Sequence, residues 1–448
     1  MCFRVRVRVP VRARAGAPAL FLVALVSAAM SCAAAPVETP APVSGTGGVS
    51  AGTGGVSATQ GTGGAPTGAG GQSTGKAPVM KPASSYPQTS PANFQFPQGH
   101  AWARCAFPAY DTDVVATAYQ NWKTKFFQGG RVVRPDSNND TVSEGIGYGM
   151  LMGVYANDRA LFDALWTYAQ SKRDGNGLMN WHIDSSGNTM NPGGGATDAD
   201  QDMAWALLMA AAQWGGAYDA AAATLIDAIW NHEVDQGGGN VLKPGDNFGG
   251  ANQTNPSYFA PSYYRVFAKV RPGQNWMAVV DSSYGILAKS SGAYGLVPNW
   301  SNSQGAGVNG PNNDPADTYF GYDACRTPWR IALDYCENGE ARAKTYLDLI
   351  VGFYAGSSSL KDGYTASGAN PPGTLGDYSA GMAFYGPGGV AAMAGGHEAF
   401  LNLAYAAVTN ASTVPATMGI NGVFTYYHAS LGTLSLLTMS GNFWNLRP

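Results

Sequence analysis

The stretch ATDADQDMAWALLMAAAQW occupies residues 196–214 and decides the fold. Its apolar residues recur at helical spacing, and three acids at alternate positions, Asp198, Asp200 and Asp202, precede them. The pattern predicts a buried helix whose first turn carries carboxylates. Calcium binding is disfavoured because neither a glycine turn nor a closing glutamate follows the acids. Helix capping by one of the three carboxylates stays an alternative to a functional role.

Helical patterns recur on both sides of this stretch, from about residue 95 to the end of the chain. Period-2 strands are scarce. Long loops rich in Gly, Asn, Pro and aromatic residues separate the helices, at 174–197, 235–262 and 292–322. We therefore expect a mainly α domain, a barrel of paired helices whose long loops form a cleft. The remaining predicted helices are 143–156, 158–172, 218–232, 274–290, 328–338, 340–355, 390–408 and 427–440.

Glu144 lies at the start of the first of these helices, in the segment SEGIGYGM (143–150). Its small neighbours leave room for a cleft, and the apolar residues that follow disfavour the ionised form of its carboxyl. A carboxyl that keeps its proton is suited to general acid catalysis. The alternative is a first-turn glutamate that only accepts hydrogen bonds from free backbone N–H groups.

Asp323 lies in the segment FGYDACRTPWR (320–330), just upstream of a helix that Pro328 is suited to begin. The helix dipole and Arg326 both favour its charged form, which is the form that a general base requires. A structural Asp–Arg pair is the alternative. Among other kinds of catalytic site, the chain has no G-x-S-x-G elbow, no Walker loop and no H-E-x-x-H motif.

The composition indicates a surface that meets water with amides, hydroxyls and aromatic faces, a kind of surface that neutral sugars bind but that does not by itself identify a ligand. Only 12% of the residues are charged, against roughly 25% in an average soluble domain, whereas Gly (60), Tyr (23) and Trp (11) are plentiful. The net charge is −3 and becomes −8 without the five N-terminal arginines. Such an acidic chain is not expected to bind nucleic acid.

The N-terminal 90 residues divide into two segments. Residues 1–32 combine five arginines with a short apolar run, 19–29, which predicts an export signal and a secreted or outer-surface location. Cys32 is a candidate for a lipid anchor, and ordinary cleavage among the following alanines is the alternative. Residues 33–90 repeat GTGGVSA and predict a flexible linker before a catalytic domain at 91–448.

Three cysteines remain in the domain, namely Cys105, Cys325 and Cys336. The odd number does not indicate a disulfide framework, and no C-x-x-C pair suggests zinc. Cys325 and Cys336 are eleven residues apart in a helix-like stretch, too far for a disulfide with one another. We expect these cysteines to be buried thiols.

The acidic segments together resemble glycoside hydrolase family 8, once called cellulase family D. Residues 196–214 satisfy the defining pattern of that family at every position, and the resemblance extends over about residues 95–448. The other segments that look like the family are SEGIGYGMLMGVY (143–155), GLMNWHID (177–184), VLKPGDNFGG (241–250), NPSYFAPSYYRVFA (255–268), GLVP (295–298), YDACRTPWRIALDY (322–335), DGYTASG (362–368) and SGNFWN (440–445).

The resemblance implies an (α/α)6 barrel and an inverting hydrolysis that needs no metal and no organic cofactor. It makes Glu144 the proton donor and Asp323 the base, and Asp198 the residue that holds the distorted sugar. Inversion also implies carboxyls roughly 6.5–9.5 Å apart across a cleft. Tyr322 and Arg326 are implied to position the base and the attacking water, and the residues implied to stack on sugar rings are Trp181, Phe248 and Tyr258. For the aromatic residues, simple core packing is the alternative.

The substrate implied is a β-1,4-linked polysaccharide, cut by a monomer. Endo-β-1,4-glucanase activity is expected first, because VLKPGDNFGG, NPSYFAP and SGNFWN look closest to cellulose-cleaving members. Xylanase activity within the family is the alternative, and a carbohydrate-binding surface protein without catalysis is the alternative of another class. Two departures from the family bear on the substrate: Asn299 stands where relatives often carry Asp, and Phe248 where Trp is frequent.

Overall fold

Twelve α-helices form the framework of residues 77–415 and 424–448, the part of the chain that the computed structural model describes. No helix in those two ranges is long and apolar enough to cross a membrane. The helices are α1 (Thr112–Phe126), α2 (Ser143–Tyr155), α3 (Arg159–Ser171), α4 (Thr197–Trp214), α5 (Tyr218–His232), α6 (Pro261–Val270), α7 (Trp276–Ser290), α8 (Thr327–Asn338), α9 (Ala341–Gly356), α10 (Met382–Ala392), α11 (Glu398–Ser412) and α12 (Tyr426–Met439).

Short antiparallel strand pairs lie in the loops between the helices. Each strand has two residues, too few to form a layer of the fold. The pairs are β1 (Phe127–Gln128) with β2 (Arg131–Val132), β3 (Thr141–Val142) with β4 (His182–Ile183), and β5 (Val234–Asp235) with β6 (Val241–Leu242).

The helices form two concentric rings. The even-numbered helices pack on one another in the order α2, α4, α6, α8, α10 and α12, and α12 returns to α2. The contact between α4 and α6 includes Trp205 stacked on Tyr263 at 4.2 Å and a hydrogen bond from the Tyr264 hydroxyl to Gln201 at 2.9 Å. Each odd-numbered helix packs on an inner neighbour. This closed double ring is the (α/α)6 barrel, and it confirms the predicted fold class.

Burial distinguishes the two rings. Every residue of the inner helix α2 except Glu144 is buried, whereas the outer helix α3 buries one face that includes Leu161, Phe162 and Leu165. A helix that is apolar around its whole circumference belongs inside the barrel, and an amphipathic helix belongs outside it. Gly147 lets α2 approach α4 closely, since a Cβ at this position would lie 3.2 Å from the carbonyl oxygen of Ala199.

The acids singled out by the sequence lie at the end of the barrel where the inner helices begin. Glu144 is in the first turn of α2, Asp198 is in the first turn of α4, and Asp323 lies just before a short 3-10 helix that leads into α8. Tyr426 and Tyr427 begin α12. The barrel thus brings residues that are far apart in sequence together at one ring of helix N-termini.

The predicted helices need correction. Helix α1 was not predicted, and α6 begins at the end of the loop predicted at 235–262. Most of α10 was not predicted either, because Pro387 obscures its helical pattern. The single helix predicted at 390–408 is two helices, α10 and α11. Gly395 and Gly396 adopt positive φ angles between these helices, which no helix can continue through.

The prediction for the cysteines is wrong for two of the three. Cys105 and Cys336 form a disulfide, with their Cα atoms 5.5 Å apart, and Cys325 is a buried free thiol as expected. The pairing joins the segment before α1 to the end of α8, 231 residues later. Cys325 and Cys336 are not paired with one another, as their helical spacing required.

The folded part begins before the predicted end of the linker. Val79 pairs with Tyr110 through its backbone N–H at 2.8 Å, and the Tyr86 ring packs edge-on against Phe96 at 5.1 Å. These contacts place the last residues of the predicted linker against the barrel. The export signal, the possible lipid anchor at Cys32 and the linker up to residue 76 lie outside the described residues.

Candidate active site

The guanidinium of Arg326 joins the three acids that the sequence singled out. Its Nη1 donates to Glu144 Oε2 at 2.9 Å and to Asp198 Oδ2 at 2.6 Å, and its Nη2 donates to Asp323 Oδ1 at 3.0 Å. Arg326 is 1% exposed, so these hydrogen bonds are shielded from bulk water. The structure therefore brings together three carboxyls and one cation at the mouth of the barrel.

Glu144 and Asp323 lie close together and not on opposite faces of the molecule. Because each contacts a different nitrogen of one planar guanidinium, the bonded oxygens lie no more than roughly 8 Å apart. The separation of roughly 6.5–9.5 Å that inversion requires stays a prediction within this limit.

The carboxyl of Glu144 is poised near neutrality. Burial raises its pKa to about 7 against the opposing charge of Arg326, and the neighbouring Asp198 adds to the rise. The Tyr426 hydroxyl donates to Glu144 Oε1 at 2.9 Å and holds the pKa down. Gly145 leaves space for this hydroxyl, since a Cβ there would lie 2.9 Å from it. Glu144 can therefore hold a proton at mildly acidic pH and release it at neutral pH.

Asp323 has hydrogen bonds to both of its carboxylate oxygens. Arg326 contacts Oδ1, and the indole N–H of Trp300 donates to Oδ2 at 3.0 Å. Arg326 favours the charged form of Asp323, as expected, but burial is the largest influence and, with the neighbouring Asp198, leaves the pKa of Asp323 raised. One third of the side chain remains exposed, so water can reach the carboxylate.

The backbone around Asp323 is fixed by Asn299. Its Oδ1 accepts the backbone N–H of Asp323 at 3.1 Å and that of Ala324 at 2.9 Å. An asparagine oxygen can accept the same two hydrogen bonds that an aspartate carboxylate would accept at this position.

The three acids of the opening stretch have different surroundings. Asp198 contacts Arg326 and also accepts the N–H of Ala199 at 2.9 Å, so it is both a site residue and a first-turn acceptor. Asp202 forms a buried ion pair with Arg330. Asp200 accepts the backbone N–H of Met179 at 3.2 Å and is fully buried. Of these three acids, only Asp198 contacts Arg326 in the described structure.

The four aromatic candidates are not all core residues. Trp181, Phe248 and Tyr322 are 38%, 37% and 38% exposed, which a packing role does not explain. Tyr258 is half-buried and packs partly against the core, with its ring 5.1 Å from the Arg326 guanidinium. The loops that carry Trp181 and Phe248 contact one another, because Asn247 Nδ2 donates to the Gly193 carbonyl at 3.2 Å and Trp181 pairs with Gly194.

Sequence reasoning missed several residues that touch the site. Tyr426 contacts Glu144, Trp300 contacts Asp323, and Ser257 Oγ accepts from Arg326 Nη2 at 2.9 Å. Ser257 and Trp300 lie in or beside segments of the family resemblance, which is a signal that could have found them. Tyr426 lies 282 residues from Glu144, and no local pattern connects the two.

Comparison with known proteins is consistent across sequence and structure. The model of the family described as glycosyl hydrolases family 8 matches residues 94–440. Endoglucanase A of Acetivibrio thermocellus is 40% identical over 353 residues, which cover 75% of this chain and 70% of that protein. Endoglucanase C of Ruminiclostridium cellulolyticum is 36% identical over 372 residues, covering 80% and 77% respectively.

Among solved structures, the apo β-1,3-1,4-glucanase from Paenibacillus sp. X4 superposes with a TM-score of 0.70 at 30% identity. The match covers 80% of this chain and all of that chain.

Proposed function

This chain belongs to glycoside hydrolase family 8, and we propose that it is an endo-β-1,4-glucanase with Glu144 as general acid and Asp323 as general base. The observation that carries the proposal is the single guanidinium, Arg326, which holds Glu144, Asp198 and Asp323 at hydrogen-bond distance. Hydrolysis of a glycosidic bond with inversion requires two carboxyls in different environments, one that is protonated and one that is ionised.

Glu144 supplies the proton that the leaving sugar oxygen needs. Its pKa near 7 keeps a large fraction protonated at mildly acidic pH, while the carboxyl remains acidic enough to donate. The hydrogen bond from Tyr426 orients one oxygen, Oε1, and Arg326 contacts the other, Oε2. The proton then resides on a carboxyl with a fixed direction rather than a freely rotating one.

Asp323 accepts a proton from the attacking water. Arg326 and Trp300 hold its two oxygens, and the exposed third of the side chain leaves access for that water. As the glycosidic bond breaks, the water oxygen bonds to the anomeric carbon from the opposite face and its proton passes to Asp323. Asp198, fixed by Arg326 and Ala199, lies where it can contact the sugar next to the bond that breaks.

A glucan chain is the substrate that the surroundings favour. Exposed rings at Trp181, Phe248 and Tyr322 offer apolar faces for pyranose rings, and the N–H of Trp181 and the O–H of Tyr322 are compatible with water. The endoglucanases and the β-1,3-1,4-glucanase that resemble this chain support β-glucan as the class of polymer. Export is part of the proposal, because a polymer of this size is degraded outside the cell, and the basic, then apolar, N-terminus supports it.

The test is release of reducing sugar from carboxymethylcellulose, mixed-linkage β-glucan and xylan, measured side by side. Glu144→Gln is the inactive variant, and Glu398→Gln is the matched control because Glu398 is also a first-turn glutamate, on the outer helix α11. The expected result is release from carboxymethylcellulose that Glu144→Gln abolishes and Glu398→Gln retains. Release from xylan alone would replace the substrate, and a folded protein silent on all three polymers would contradict the proposed enzyme.

A further inference from the structure

A loop of residues 361–379 lies beside the segment that leads to Asp323. Phe320 and Tyr364 exchange two backbone hydrogen bonds, at 2.9 and 3.0 Å, and the backbone of Lys361 pairs with that of Ser379 to close the loop. Phe320 is three residues before Asp323. The position of the loop is therefore tied to the position of the proposed base.

Leu375 anchors the tip of this loop close to the cleft. A Cβ on Gly321 would lie 3.2 Å from its side chain, and a Cβ on Gly363 would overlap it at 2.3 Å. The two glycines thus leave the space that Leu375 fills. Since Gly321 immediately precedes Tyr322, the loop packs beside a proposed sugar-binding residue.

Asp362 connects the loop to Tyr322 itself. Its Oδ1 accepts the backbone N–H groups of Gly376 at 3.0 Å and Tyr378 at 3.2 Å, and its Oδ2 lies 3.5 Å from the Tyr322 hydroxyl. Asp362 is 4% exposed, so this connection is shielded from solvent. One carboxylate therefore bridges the ring of Tyr322 and the backbone of Tyr378.

The side chain of Tyr378 is left in solvent. It is 67% exposed, the largest fraction among the large apolar side chains of the described residues. Within 363–379 the one charged residue is Asp377; the rest are mainly Gly, Pro, Ser, Thr, Ala, Asn and Tyr. A surface with a single charge and one protruding ring suits a neutral sugar better than a highly charged ligand.

We propose that Tyr378 is an additional sugar-binding platform beyond Tyr322, stacking on a pyranose ring of the same β-1,4-linked chain. The inference rests on the proposed function and adds a contact remote from the bond that breaks. Substrates long enough to reach Tyr378 gain this contact, and shorter ones do not. The loop 361–379 thereby sets the preferred length of the chain on this side of the cleft.

The experiment is a comparison of kcat/KM for cellotetraose, cellopentaose and cellohexaose between the wild type and Tyr378→Ala. We expect the loss to grow with length and to reach roughly three- to tenfold for the longest substrate relative to the shortest. Tyr378→Phe, which keeps the ring, is expected to stay within about twofold of the wild type at every length. The matched control is Tyr294→Ala, which removes another exposed ring, one that packs on Phe353.

If kcat/KM of Tyr378→Ala depends on substrate length as that of the wild type does, the inference is overturned while the proposed function stays intact. A loss equal at all lengths would also overturn it, because it would indicate an effect through Tyr322 or Asp323. If the wild type cleaves only xylo-oligosaccharides, the glucanase proposal fails and the same comparison on that series decides the inference. If it cleaves neither series, calorimetric binding of cellohexaose decides it: weaker binding by Tyr378→Ala supports the platform, and equal or undetectable binding overturns it.

Discussion

The guanidinium of Arg330 donates two hydrogen bonds to the carboxylate of Asp202, at 2.8 and 2.9 Å, one helical turn deeper in the barrel than Arg326 and Asp198. Asp198 and Asp202 are four residues apart in α4, and Arg326, directly before α8, is four residues from Arg330 in α8, so the two pairs follow one another along the same two elements. The deeper pair makes no contact with Glu144 or Asp323 in the described structure. We therefore expect the Asp202–Arg330 pair to stabilise the barrel and the Asp198–Arg326 pair to hold the candidate active site. Variants of the two pairs can then separate effects on stability from effects on activity.

Arg326→Lys is expected to lower kcat by about a hundredfold or more. A lysine ammonium is a point charge without the planar fork that holds three carboxyls at once, and a displacement of about 1 Å suffices for such a loss. Arg330→Lys is the matched control, and we expect it to lower the melting temperature while kcat changes far less. Steady-state kinetics and thermal unfolding of both variants check this, and an equal loss of kcat in both would contradict the separation.

Asp202→Asn is expected to lower the free energy of unfolding by about 3–5 kcal/mol, because it leaves the charge of Arg330 buried and unpaired. Denaturant unfolding measures the change. The pH dependence of kcat/KM should keep its wild-type form in the folded variant, and a shifted profile would mean that the deeper pair takes part in the site.

The pH dependence of the wild type follows from Glu144. A general acid works only when protonated, so activity should fall as pH rises through its pKa of about 7. The acid limb belongs to Asp323, whose pKa is also raised by burial and which must be ionised to act as base. A profile of kcat/KM on a soluble substrate tests this, and undiminished activity well above pH 7 would argue against Glu144 as the acid.

Tyr426→Phe is expected to move the alkaline limb to higher pH. The hydroxyl of Tyr426 stabilises the ionised form of Glu144, so its removal raises the pKa of that carboxyl further. Tyr427→Phe is the control, because Tyr427 donates to the backbone oxygen of Tyr322 instead of to Glu144. The measurement is the pH dependence of kcat/KM for both variants on one substrate. An alkaline limb that does not move in Tyr426→Phe would show that this hydrogen bond does not set the pKa of Glu144.

The disulfide between Cys105 and Cys336 should stabilise the barrel without affecting the chemistry. A cross-link spanning 231 residues contributes about 5 kcal/mol in the chain-entropy description. A peptide map without reductant should recover the linked pair, and Cys105→Ser with Cys336→Ser should lower the melting temperature. Reductant should then have no further effect on the double variant. Recovery of both cysteines as free thiols would refute the pairing.

The sequence allowed much of the candidate active site to be predicted, because its residues lie in short, dense segments. Glu144, Asp198, Asp323 and Arg326 each stand at a helix start, where local patterns are most informative. The partners of these residues could not be inferred in the same way. Tyr426 reaches Glu144 across 282 residues, and Cys105 reaches Cys336 across 231, so both contacts depend on how the rings of helices close. Local reasoning also misjudged the pKa of Asp323, because burial is a property of the whole fold.

The most direct test of the central account is the anomeric configuration of the first product, followed by proton NMR during hydrolysis of a cello-oligosaccharide by the wild type. If Glu144 and Asp323 act as acid and base with water between them, the new reducing end appears first as the α-anomer and then mutarotates. Early formation of the β-anomer would mean retention through a covalent intermediate, and it would contradict the roles assigned to Glu144 and Asp323.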